Sequence, residues 1–410
     1  MAAAAPRPRP GRVLAILGLA LVLGTSSGCF GSGGGESTGG TITEIPAEPV
    51  VPEPGLGPHG STAERLLALQ FRPRLRFDSA ERWRPLAVKP FLIERFAGGH
   101  GHGACHQGDR TPCPLIESPE LQPEIAFIDV YGRIDNGADT YGPPAEECAV
   151  AAPLDCDAGP GSAIYYRRTS HAGRWYWDYW WFLRYNDYNG SRNRCQFYCA
   201  DHEGDWEGVT VVTTATEKPQ LVEAIFAAHS DRILVPLEAL LRTGNHIQVF
   251  VADGTHAAYA FPCAVDCRQY ASKPVVGALF EEHHDGDAPW AENRDAVCLE
   301  HHCLRPLPEE PSDPPALFPT PSEWNGWPGH WGASCANGCL ADSASPSSPG
   351  FQSCYICPWV PTRRHTGSTP RLAPLSGQPG SQPIREAAGQ VDACREEARS
   401  ARGQPAPPNG

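Results

Sequence analysis

The stretch "RWYWDYWWFLRYNDYNG", residues 174–190, decides the class of fold. Read with period two, Trp175, Trp177, Tyr179, Trp181, Leu183 and Tyr185 share one face. Tyr176, Trp180 and Phe182 share the other, with Asp178 and Arg184. A half-exposed strand alternates apolar with polar residues, because successive side chains point to opposite faces of the sheet. Here both faces are heavy, which predicts a central strand covered on both sides. Similar runs follow at "WEGVTVV", "LVEAIFAAH" and "HIQVFVADGTHAAYAF". The last carries Asp253-Gly254, a turn signal between two β segments. Helical patterns are few: "TAERLLAL" at the start of the globular part, and the short "PLEALLRTG". Many strands joined by Pro/Gly-rich connections predict a mainly β chain, an antiparallel β-sandwich with long loops and few short helices.

Immediately after the aromatic strand comes "ADHEGDWEGVTVV", residues 200–212, with Asp201, His202, Glu203, Asp205 and Glu207 packed before a buried run. Carboxylates are costly to bury unless something compensates their charge. On a strand Asp205 and Glu207 project together, about 6–7 Å apart, with Trp206 and Gly208 expected on the opposite, core-facing side. Gly204 permits a bend that swings His202 onto the acidic side, and Asp187 at the end of the aromatic strand offers a further oxygen. Asp187, His202, Asp205 and Glu207 therefore form a candidate divalent-metal site. Oxygen ligands with one nitrogen suit Ca²⁺ or Mg²⁺, and also Mn²⁺; zinc prefers more His or Cys. The competing expectation is a solvated strand end with no ion.

The chain opens with Arg7, Arg9 and Arg12, then the apolar run 13–24, then "TSSGC". A dozen apolar residues are too few to span a bilayer and suit a signal-peptide core. Small residues before Cys29 match a bacterial lipoprotein signal, predicting cleavage after residue 28, lipidation of Cys29 and anchoring at the cell envelope. Ordinary signal cleavage, with Cys29 a bystander, is the alternative. Cleavage would remove three arginines and no acids, taking the formal charge from −14 to −17. So acidic a chain is a poor nucleic-acid binder. Residues 29–62 are Gly-rich and then Pro-rich, a flexible tether that stiffens. Residues 63–362 are globular in composition. Residues 363–410 return to low complexity, with one possible helix in "PIREAAGQVDACREEARSA". A Gly35-Glu36-Ser37-Thr38-Gly39 match to the hydrolase elbow lies in the tether without the required strand and helix, so it is discarded.

There are 16 cysteines. Export and close spacing read as loop staples: Cys105 with Cys113, Cys148 with Cys156, Cys195 with Cys199, Cys263 with Cys267, Cys298 with Cys303, Cys335 with Cys339, and Cys354 with Cys357. Cys394 is left over. The rival is a four-thiolate zinc site from "CANGC" and "CYIC". Cys195 and Cys199 with His202 could also make a zinc half-site, though a disulfide bracing the acidic loop is preferred. His229 and His256 each follow a strand-like run. They are candidates for ligand binding or for a general base in the cleft of His202, against a structural role at a strand end. The histidine-rich segments 99–106, 281–287 and 300–303 lack metal-ligand spacing and read as solvated loops.

The motifs "HEGDWEGVTVV", "AIFAAHS" and "HIQVFVADGTHAAY" resemble the family named after a vacuolar protein sorting protein, sixty-two in that series. "FRPRLRFDSAERWRPLAVKPFLIE", "HWGAS" and "SPSSPGFQ" agree in order, so the resemblance covers roughly residues 68–362. That family has bacterial exported members and no assigned activity. A more distant resemblance is to the necrosis-inducing, cytolysin-like proteins, which carry G-H-R-H-D-W-E after an aromatic strand ending in Asp. It implies a β-sandwich related to pore-forming toxins and fungal lectins, and metal-ligand roles for Asp187, His202, Asp205 and Glu207. The chain departs from that heptapeptide at Glu203 and Gly204, and its loop before His202 is longer and carries Cys195 and Cys199.

Four functions follow, in order of preference. The first is a lipid-anchored binding module whose cation bridges to a lipid headgroup or glycan. The others are a structural envelope protein, a hydrolase with a metal-activated water and His229 or His256 as base, and a cytolysin-like membrane-active protein.

Overall fold

The computed structural model describes residues 58–81, 83–88, 103–106, 126–129, 162–186, 202–228, 231–264, 267, 283–290, 293–300, 302–308, 324–326, 331, 346, 348–352, 357–365, 382–383 and 390. In chain order the described elements begin with α1 (Thr62–Phe71), β1 (Arg74–Phe77), β2 (Gly103–His106), β3 (Ala126–Asp129), β4 (Ile164–His171) and β5 (Arg174–Asn186). Then come β6 (His202–Thr214), β7 (Leu221–Ala228), β8 (Asp231–Pro236), β9 (Arg242–Thr243), β10 (His246–Val251) and β11 (Ala258–Tyr259). The rest are β12 (Ala288–Pro289), α2 (Asp295–Glu300), β13 (Leu304–Pro306), β14 (Arg363–Arg364) and β15 (Gln382–Pro383). The chain is mainly β, as expected.

The large sheet runs β13-β4-β5-β6-β7-β8-β14-β15 and the smaller one β11-β10-β1-β12, with β9 on β10; β2 and β3 pair alone. The aromatic segment is the 13-residue central strand β5, flanked by β4 and β6 in antiparallel register. Both its faces are covered. On the inner side Trp175, Trp177, Tyr179, Trp181 and Leu183 share one core with Leu75, Phe77, Val249 and Val251 of the smaller sheet. Two bonds mark that side: Trp177 Nε1 donates to Thr213 Oγ1 at 3.1 Å, and Tyr179 Oη donates to the Ala68 carbonyl of α1 at 2.7 Å. On the outer side Phe182 and Trp206 pack with Trp324 and Trp331, Trp206 stacking on Trp324 at 4.9 Å. Farther along the same face Tyr176, Val212, Ile225 and Leu234 lie under Trp359. Burying an aromatic side chain removes 150–250 Å² from water, so the two aromatic layers account for much of the drive to form this sheet.

The middle of the large sheet is antiparallel, but β13 joins β4, β14 joins β8 and β1 joins β10 in parallel. Each of these pairs joins strands far apart in sequence, where no hairpin imposes direction. The helix at the start of the globular part is present. Ser61 caps it by accepting from the Glu64 N–H at 3.3 Å, which satisfies one orphan donor, while the Glu64 side chain accepts from the Gly60 N–H just before the cap at 2.7 Å. "PLEALLRTG" does not form the expected helix. It makes one 3₁₀ turn, Leu237–Ala239, and then enters β9, because Leu240 and Leu241 are drawn into the cores beside it.

Of the predicted staples, Cys263–Cys267 and Cys298–Cys303 are disulfides, with Cα separations of 5.7 and 4.8 Å. Cys357 is also disulfide-bonded, which removes its thiolate from the four-thiolate zinc alternative. Cys29, Cys113, Cys148, Cys156, Cys195, Cys199, Cys335, Cys339, Cys354 and Cys394 lie outside the described residues, as do the signal peptide and tether up to residue 57. So does the helix expected in the tail, apart from isolated positions.

Candidate functional site

Asp205 and Glu207 lie on β6 opposite Leu183 and Trp181 of β5. Those partners belong to the inner aromatic face, so both acids point between the sheets. They are 0% and 1% exposed. This corrects one expectation: it is the acids that face the inter-sheet core, and Trp206 that faces the outer aromatic layer. Periodicity placed Asp205 and Glu207 together correctly. It could not assign the side, because both faces of this strand are buried. The two acids are therefore not a solvated strand end.

Their compensation comes from across the sandwich. After β10 the chain turns through Asp253-Gly254, closed by the Thr255 N–H to the Asp253 carbonyl at 2.9 Å and the Ala252 N–H to the Ala257 carbonyl at 3.1 Å. The turn delivers His256, fully buried, with φ +57°. A left-handed backbone at a non-glycine residue costs roughly 1–2 kcal/mol, and it persists here because the side chain is held at both ends. His256 Nδ1 lies 2.9 Å from Asp205 Oδ2, and Nε2 lies 3.3 Å from Glu81 Oε2. Glu81 is itself buried, its Oε1 accepting the Trp83 N–H and its Oε2 the Gly254 N–H, both at 2.6 Å.

Burial pushes the imidazole of His256 toward its neutral form, but Glu81 and Asp205 outweigh that and raise its pKa to about 10. Burial also works against the Glu81 carboxylate, yet the cationic ring and the two backbone N–H donors hold its pKa below the ordinary value. At neutral pH the ring is therefore an imidazolium set between Glu81 and Asp205. With both ring nitrogens protonated and facing carboxylates, His256 has no lone pair with which to act as a general base. It does lie against Asp205, one of the expected ligands.

The arrangement leaves one carboxylate oxygen over. Asp205 Oδ1 is buried without a hydrogen-bond partner among the described residues, and so is the Thr255 hydroxyl beside His256. Buried polar atoms are normally satisfied by protein, water or an ion. An acceptor-only oxygen, on a carboxylate fixed through its other oxygen and beside Glu207, fits a hard cation. Among the described residues no three His, Cys, Asp or Glu side chains already form a metal cluster. Of the expected ligands, Asp187 is not among the described residues, and His202 is described only as the backbone start of β6, opposite Asn186. His229 lies outside the described residues too.

Glu81 was not singled out in the sequence. It is one acid in "FDSAERW", with no spacing that marks it, and its partners come from remote turns. Nor was His284 found: the 281–287 segment read as solvated, but His284 is 0% exposed and stacks on Tyr259 at 4.1 Å. Its backbone pairs with Cys263 as an isolated bridge, which carries it into the interior. A second buried carboxylate, Asp178, sits on the outer face. It accepts from Thr210 Oγ1 at 2.7 Å and lies 3.5 Å from Arg167. Burial raises its pKa to about 6 against the opposing pull of Arg167, Thr210 and Arg232.

No family model and no curated protein matches the chain. Solved structures to which it is similar include NLPPya in complex with glucosamine and in complex with mannosamine. Each is 18% identical at TM-score 0.24, over 50% of this chain and 66% of that one. Another is Necrosis and Ethylene inducing Protein 2 from the causal agent of cocoa's Witches Broom disease, 14% identical at TM-score 0.26, over 65% of this chain and 92% of that one. The neighbours are thus toxin-fold proteins matched at low identity and low TM-score. Scores of this size carry no argument about the site. Nothing in these comparisons supports the resemblance to the vacuolar sorting family.

Proposed function

We propose that this protein is an exported binding module, tethered through lipidated Cys29, that holds a divalent cation and presents it to an anionic or polyhydroxylated ligand such as a lipid headgroup or glycan. Asp205 and Glu207 would supply oxygens from β6, with Asp187 and His202 completing the set. The cation would be Ca²⁺, Mg²⁺ or Mn²⁺, to suit oxygen-dominated ligation. One observation carries this proposal: Asp205 is fixed through Oδ2 by His256 while its buried Oδ1 has no partner among the described residues. Two buried carboxylates, of Glu81 and Asp205, share one imidazole, which further favours an added positive charge.

A second function, a structural envelope protein whose ion only braces the acidic loop, is favoured by the near-complete burial of Asp205 and Glu207. A hydrolase with His256 as base is disfavoured because a carboxylate faces each of its nitrogens.

The test is calorimetric titration of the chelator-treated protein with each ion, followed by thermal unfolding with and without it. An ion that binds only the native state raises Tm in a saturable way, and Asp205→Asn should abolish that rise. A parent chain that binds none of the ions would overturn the cation site. Binding that leaves no exchangeable coordination position, read from water relaxation by Mn²⁺, would favour the structural role over ligand presentation.

A further inference from the structure

We infer that Glu81 is a positioning residue for the cation site, acting through His256 on Asp205. This rests on the cation reading above and adds a residue that no stretch of sequence near the acids contains. The Glu81 carboxylate accepts from the Trp83 N–H and the Gly254 N–H, and its Oε2 lies 3.3 Å from His256 Nε2 as an ion-pair contact, without hydrogen-bond geometry. The first bond ties it to its own segment and the second ties it to the turn that carries His256. Glu81 therefore sets both where the turn sits and which way the ring faces. With Nε2 turned to Glu81, Nδ1 is turned to Asp205 Oδ2 at 2.9 Å. That bond leaves Oδ1 without a hydrogen-bond partner among the described residues. Groups that hydrogen-bond a metal ligand change metal affinity by about 10–100-fold when removed; His256 stands in that position toward Asp205, and Glu81 stands one contact behind it.

The acceptor-only character of the group matters. In Glu81→Gln the amide would set an NH₂ against either the Trp83 or the Gly254 N–H, and one donor would lose its partner. His256→Asn cuts the relay at its next link with a residue that tolerates positive φ. Asp178→Asn, on the outer face of the sheet, serves as a control.

The measurement is Mn²⁺ affinity of the full chain, by calorimetry and by the loss of the free-ion paramagnetic signal. It is made at a temperature where the near-ultraviolet circular dichroism shows each variant folded. Glu81→Gln and His256→Asn should each weaken Mn²⁺ binding about tenfold or more. The double variant should be no weaker than His256→Asn alone, because both cuts break one chain of contacts. The Asp178→Asn control should bind as the parent does. Folded variants that keep the parent's affinity would overturn the inference and leave Glu81 a structural residue. If the two variants do not fold, Mg²⁺ titration of the parent labelled with ¹⁵N-histidine decides: the His256 ring resonances must move with saturation, and a ring that does not respond overturns the relay. A parent that binds no ion at all fails the cation site itself, which is a distinguishable result.

Discussion

Replacing His256 with Asn isolates what the imidazolium does for the fold. The substitution removes the cation between Glu81 and Asp205, both at least 95% buried. Breaking a buried ion pair by deleting one partner typically costs 3–5 kcal/mol, because the remaining charge is left uncompensated. A rise in the His256 pKa from 6.5 to about 10 corresponds to roughly 5 kcal/mol, an upper bound of the same size. Against this, Asn adopts the left-handed backbone more readily than His and recovers a fraction of about 1–2 kcal/mol of strain. The expected net loss is about 2–4 kcal/mol. At about 2–4 °C per kcal/mol for a domain of this size class, Tm should fall by roughly 5–15 °C. The assay is calorimetric unfolding of parent and variant in chelator, at pH 7 and at pH 10. The imidazolium's contribution is complete below about 6.5 and is lost as pH rises through about 10, so the deficit should narrow in base. A variant that melts within about 1 °C of the parent at pH 7 would refute the reasoning. It would mean that water or another group already compensates Glu81 and Asp205.

Asp178 gives a pH test on the opposite face. Its pKa is raised, so its contribution is complete below the unfolded value near 3.9 and is lost as pH rises through about 6. The shift is worth roughly 3 kcal/mol, so Asp178→Asn should gain on the parent between pH 4 and 6.5; parallel urea-unfolding curves across that range would count against it. Gly204 has φ +55°, and a Cβ there would clash with the Trp331 carbonyl oxygen. Gly204→Ala should therefore cost at least about 2 kcal/mol and alter the tryptophan circular dichroism of the outer layer; native spectra and stability would show that the segment can move away. Arg232 donates to the carbonyls of Cys357, Pro358 and Val360, holding residues 357–365 against the sheet. Arg232→Met should strand buried carbonyls at about 1–3 kcal/mol each and speed hydrogen exchange at Thr362 and His365, which donate to the β8 backbone. Unchanged exchange there would refute the latch.

The β class, the central strand and the Asp205–Glu207 pair were legible because strand periodicity is local. Residues two apart share a face whatever the rest of the chain does. The same holds for the capped helix at Thr62–Phe71 and for the two close disulfides that the described residues contain. Legibility failed where two structures meet the same local pattern. A strand buried on both faces has no polar side to mark its orientation, so the acids were placed outward. The segment 281–287 looked solvated because nothing local shows that His284 pairs with Cys263 and stacks on Tyr259.

By itself, then, the sequence determined which residues alternate, where the chain turns and where carboxylates crowd. These depend on backbone geometry over a few residues and on the cost of burying charge. Tertiary structure alone decided what answers those carboxylates. Glu81, Asp205 and His256 lie on three segments remote from one another, and their register across the sandwich follows from packing two sheets and their turns around one aromatic core. The energy of that triad depends on distances of about 3 Å in a medium from which water is excluded. No spacing along the chain encodes such distances before the sheets close.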